Sequence, residues 1–189
     1  MKEKFNFKDT TLLMIGGHEG WLELPKNCYD LGERVKARFK WGHNMKMDGL
    51  CSLSGLTAWL VNSREEKRKF NLVPGEGLYY EFSFLPEETG FMELLIQHEG
   101  IISITVDGKH VWGSRKEHPD AREALAFTQY AKSMVKVGSS LEDNFISSEK
   151  NLDLIPVEYG SIKIGDRASF QVFLKITPGT WRSDCCQQQ

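Results

Sequence analysis

The sequence predicts an all-β protein: an Ig-like antiparallel β-sandwich with one short helix, followed by the start of a second β domain. Three observations predict it. Val35, Ala37, Phe39 and Trp41 alternate with Arg34, Lys36, Arg38 and Lys40, the period-two pattern of a strand with one wet face. Roughly eight short apolar runs follow one another with turn signals between them, the spacing of a sandwich. Asp107-Gly108 separates two β-rich runs, a strong two-residue hairpin signal.

The elements follow in order. Residues 18–24 form a short strand that Pro25 ends, and Asn27, Asp30 and Gly32 mark a loop. Residues 34–41 form the alternating strand. A polar loop at 43–54 leads to a strand at 56–61, and 64–69 is a charged turn. Residues 70–73 make a short strand closed by Pro74 and Gly75. Tyr80, Phe82 and Phe84 alternate along a strand at 78–85, and Pro86 to Gly90 is a turn. Strands at 91–98, 101–106 and 109–112 come next. Residues 118–125 (H-P-D-A-R-E-A-L) predict the helix, because Pro119 suits a first turn and Ala, Arg, Glu and Leu favour helix. A long strand follows at 126–137. The domain division is therefore a sandwich at 18–138, a polar linker at 139–150, and a truncated β domain with an irregular tail at 151–189. In the last part only 152–156 and 168–174 read as strands.

Composition bounds the function. The chain has 189 residues, 40% hydrophobic and 26% charged, with a formal net charge of -2. That balance supplies no field to draw it onto nucleic acid or an anionic membrane. No apolar run has the length of a membrane-spanning helix. Cys28, Cys51, Cys185 and Cys186 form no C-x-x-C pair, so unpaired thiols are expected. Residues 1–17 lack the apolar stretch and cleavage pattern of a secretory signal and read as an N-terminal extension in its place. Gly75-Glu76-Gly77 is no phosphate loop. Glu87 and Glu88 diverge in a turn, which does not suit paired acid–base work, and no Ser or Cys sits in a nucleophile motif. The chain reads as a binding protein, not an enzyme.

The five histidines carry the strongest chemical signal, since neutral imidazole ligates Ni, Co, Cu or Zn. None forms a close H-x-x-x-H pair, so convergence must come from the fold. Pairing 18–24 with 34–41 as a hairpin puts His18 near Trp41, at the same end as His43. His98 ends another strand and reaches that rim if the strand order allows. His18, His43 and His98 are thus the candidate metal ligands, and strand-capping histidines the plainer alternative. Met45 and Met47 suit loop packing better than soft-metal ligation. Asp48 offers an oxygen, although an Asp before Gly49 commonly makes a turn. Trp21 and Trp112 could form an aromatic platform for a sugar. Trp41 and Trp59, in phase with apolar neighbours, belong in the core.

The motif order carries a resemblance: H-E-G-W-L from His18, L-G-E-R-V from Leu31, W-G-H from Trp41, the turn before Phe91, V-D-G-K from Val106 and F-T-Q-Y-A-K from Phe127. After the linker come L-I-P from Leu154 and I-G-D-R-A-S-F-Q-V from Ile164. Together they resemble a bacterial and archaeal family of extracytoplasmic β-sandwich proteins, labelled nickel-uptake or cobalt/nickel-transporter periplasmic components. The resemblance implies binding or delivery of Ni²⁺ or Co²⁺, with Zn²⁺ or Cu²⁺ as alternatives, to membrane metal-transporter subunits. It implies a periplasmic location and puts His18 and His43 at the family's histidine positions. Two other readings stand beside it: an Ig-like adhesion or carbohydrate-binding module without metal, and a non-functional truncated remnant.

Overall fold

The computed structural model describes residues 18–139, 152–157, 163, 165–177 and 180–184. The expected N-terminal extension, nearly all of the linker and the final Cys-Cys-Gln stretch lie outside them.

The strands are β1 (Glu19–Glu23), β2 (Cys28–Tyr29), β3 (Val35–His43), β4 (Lys46–Met47), β5 (Leu56–Val61), β6 (Lys67–Phe70) and β7 (Val73–Pro74). Then come β8 (Tyr79–Phe84), β9 (Gly90–Ile104), β10 (His110–Trp112), β11 (Glu123–Val137), β12 (Leu152–Pro156), β13 (Phe170–Thr177) and β14 (Thr180–Asp184). One sheet has the order β1-β3-β8-β7, with β4 on β3. A second has the order β2-β11-β9-β5-β6, with β10 on β9. This is the immunoglobulin arrangement of an ABED sheet facing a sheet built on C, F and G. The short β2 crosses to the second sheet and pairs in parallel with the end of β11.

The two sheets meet through their alternating residues. Val35, Ala37, Phe39, Tyr80, Phe82 and Phe84 come from the first, and Leu60, Met92, Leu94, Ile96 and Val135 from the second. All are buried. Each fully buried apolar side chain contributes about 1.5–3 kcal/mol, so this interdigitated layer is what joins the sheets. On the outer face, β9 also buries Glu93, and Lys132 of β11 sits 3.6 Å from its carboxylate. Lys132 also pairs with the buried Asp153 of β12. Among the described residues, this charge cluster ties the third sheet, β12-β13-β14, to the sandwich.

The structure departs from several expectations: Trp59 is half-buried under Lys69 and not in the core, and the charged turn at 64–69 is in part strand β6. The helix at 118–125 is absent. His118 to Ala121 form a turn closed by Ala121 N–H on the His118 carbonyl, and Arg122 N–H donates to Ile104 O. From Glu123 the chain is strand, paired with Ile104. An available ladder partner overrides a weak local helix preference. The strands at 91–98 and 101–106 fuse into one, because β11 pairs with β9 continuously across Gly100. The Asp107-Gly108 turn has a three-residue loop, not two. Gly108 N–H donates to Thr105 O, and Gly108 takes a φ of 81°, the type I turn plus glycine bulge. Finally, the stretch read as an irregular tail continues β13 to Thr177 and adds β14.

Candidate metal centre

The site is built at one end of the first sheet. β1 pairs with β3 so that Gly20 faces Trp41 and Glu19 faces Gly42. That is two residues from the predicted register, a shift that keeps every side chain on its expected face. It brings His18 beside His43. β3 then turns straight back into β4, with His43 facing Lys46. The turn residues Asn44 and Met45 have φ of 52° and 58°, a left-handed pair that costs non-glycine residues energy. The Glu19 carboxylate steadies it by accepting the Met45 N–H at 3.0 Å. Gly42 is needed here: a Cβ on it would lie 1.8 Å from the Lys46 carbonyl oxygen.

The return of β4 delivers Asp48. Its Oδ2 pairs with His43 Nδ1 in a short contact, and its Oδ1 lies 3.4 Å from His18 Nε2. The two imidazole rings are 4.1 Å apart between centroids. The ligand atoms of all three residues lie within 4.8 Å of one another, and all three residues are exposed. The His43 hydrogen bond holds the Asp48 carboxyl below the usual carboxylate range, so it is anionic at neutral pH. Two imidazoles and a carboxylate are a donor set for Ni, Co, Zn or Cu(II). A common point about 2.0–2.1 Å from two imidazole nitrogens needs donors roughly 3–4 Å apart. Opening the His43–Asp48 contact slightly would meet that.

The surroundings fix the donors. His18 stacks on Trp41 with a 9° interplanar angle and 5.3 Å between centroids. Gln129 Nε2, from the opposite sheet, donates to the His18 carbonyl at 3.3 Å. Tyr80 Oη donates to Cys51 O at 2.7 Å and pins the loop after Asp48. The Cys51 thiol is pushed up to about 11 by burial, so it is a protonated thiol at neutral pH.

His98 is placed differently. It is 3% exposed and ringed by Trp41, Trp112 and Phe127 at centroid distances of 5.0, 5.8 and 5.2 Å. His18 and His98 both pack on the Trp41 ring, His18 stacked and His98 edge-on. Burial pushes the His98 pKa down, partly opposed by the hydrogen bond its ring donates to the Gln129 side chain. The structure therefore joins His18 and His43 with Asp48 and leaves His98 buried outside that group. Its parity with Leu94 and Ile96 along β9, both core residues, is the sequence signal for that. Trp112 is 59% exposed and Trp21 half-buried, on separate sheets, so they share no single row.

No helix among the described residues is long and apolar enough to cross a membrane. No curated protein matches the chain. A family profile matches residues 15–178, which takes in the sandwich and reaches past β13. By that match the chain belongs to the family described as Domain of unknown function (DUF4198).

Proposed function

We propose that this protein binds a divalent first-row transition metal ion through His18, His43 and Asp48 and passes it to a membrane transporter, without catalysis. The observation that carries the reading is the convergence of two imidazoles and an anionic carboxylate within 4.8 Å. The three residues are exposed at the mouth of an open cleft. Such a site suits a cargo ion that enters and leaves; a structural ion is normally enclosed by four protein ligands. The resemblance of the H-E-G-W-L and W-G-H motifs to nickel- and cobalt-transport components favours Ni²⁺ or Co²⁺ as the cargo. It also favours a transporter subunit as partner and a periplasmic place of work. In vitro the intrinsic affinity order puts Cu²⁺ above Ni²⁺ and Ni²⁺ above Co²⁺.

Calorimetry with Ni²⁺, Co²⁺, Zn²⁺ and Cu²⁺ tests it. One ion per chain should bind the wild type, and the His18→Ala/His43→Ala variant should bind none. Absence of heat with every ion at micromolar protein would refute the reading.

A further inference from the structure

The three donors occupy one corner of a much larger space. The cleft they border has a volume of about 780 Å³, within the roughly 300–1,000 Å³ of small-molecule sites. A bare ion leaves nearly all of it empty. Its far wall comes from the second sheet, where Ile102, Val111, Trp112 and Phe127 line it. The Trp112 and Phe127 rings pack at 5.6 Å and 59°, and Trp112 keeps 59% of its surface exposed. An exposed indole braced by a second ring is a stacking surface. On the metal side, three protein donors leave at least one coordination position open even in a tetrahedral site.

From this juxtaposition of an incomplete donor set and an aromatic wall, we propose that the cargo is a metal chelate. The ion is held by His18, His43 and Asp48 while a small bidentate organic ligand fills its open positions. That ligand lays an aromatic ring against Trp112. The inference rests on the metal reading above and names its substrate class. His110, exposed on the same wall, lies where an imidazole could hydrogen-bond a polar group of the chelator.

Ultrafiltration with the preformed 1:1 complex of Ni²⁺ and 2,2′-bipyridine tests the proposal, with free Ni²⁺ run in parallel. The expected result is retention of nickel and bipyridine together, one of each per chain. Trp112→Ala should weaken retention of the complex by about tenfold, the order of one lost stacking contact. It should leave free Ni²⁺ binding within about twofold, and Trp112→Phe should restore most of the loss. Circular dichroism verifies that the variants fold. Retained nickel with bipyridine in the filtrate would overturn the chelate proposal and leave the metal reading intact. Failure of both free and chelated Ni²⁺ to bind would overturn both. Full retention of the complex by Trp112→Ala would overturn the assigned wall.

Discussion

The imidazole of His18 lies almost parallel to the indole of Trp41, 9° apart in plane and 5.3 Å between centroids. An ion on His18 would thus sit beside a fluorophore. Ni²⁺ or Cu²⁺ binding is expected to quench the intrinsic fluorescence of the protein. Trp41→Phe should remove most of the quenching while leaving four other tryptophans to report the fold. Titration at a fixed emission wavelength checks this.

Asp48 addresses both imidazoles through its two oxygens. Asp48→Asn removes the anionic donor and loosens the ring orientations. Losing even an orienting partner typically costs about 10–100-fold in metal affinity, so at least about tenfold weaker Ni²⁺ binding is expected. Calorimetry gives the ratio, and an unchanged Kd would exclude Asp48 from the site.

Gly42 permits β3 and β4 to fold against each other. Gly42→Ala drives a methyl group into the Lys46 carbonyl, an overpacking that typically costs about 1–3 kcal/mol. The hairpin that delivers Asp48 should spread. Both the urea midpoint and the Ni²⁺ affinity are expected to fall, in contrast to Asp48→Asn, which should lower the affinity alone.

His98 gives stability a pH dependence of known sign. Burial holds its pKa below the ordinary value, while the unfolded chain takes up that proton near pH 6.5. Below about 6.5 the unfolded state therefore binds more protons than the native state. Stability falls with pH, by at most about 1.4 kcal/mol per pH unit, until the native His98 titrates in turn. His98→Phe should flatten this part of the profile. Urea unfolding at pH 7.5 and 5.0, compared between wild type and variant, measures the difference.

Lys132 is the cation between two buried carboxylates. Lys132→Met removes the ammonium that both carboxylates meet. Breaking a buried pair in this way costs about 3–5 kcal/mol. Adding Glu93→Gln and Asp153→Asn should recover part of that loss. Thermal denaturation of the single and triple variants checks the recovery.

Much of this fold can be read in the chain because period two is a direct image of a two-faced sheet. Val35 to Trp41 alternate in sequence and in burial. The largest failures come from pairing between residues distant in sequence. Residues 118–125 carry helical propensity, yet Glu123 to Leu125 find Ile102 to Ile104 as ladder partners. The site was half legible. His18 and His43 sit at the paired ends of two recognisable strands. Asp48 reads as a turn residue because it precedes Gly49, and Asn44-Met45 lacks the glycine that announces a tight hairpin. Nothing local shows the chain doubling back to bring it to His43. His98 could have been assigned to the interior from its phase with Leu94 and Ile96.

β9 and β11 are each 15 residues long, about 50 Å at the usual strand rise. Over Glu123 to Ala126, β11 is exposed at every residue, whereas Val135 and Val137 are sealed in the core. The same pair of strands is therefore anchored at one end and cantilevered at the other, where β10 completes a ribbon. Hydrogen exchange along β11 should run as a gradient, fast at Leu125 and slow at Val135. The aromatic wall sits on the free end and the imidazole pair at the edge of the other sheet. One jaw of the cleft thus has a compliance that the other lacks.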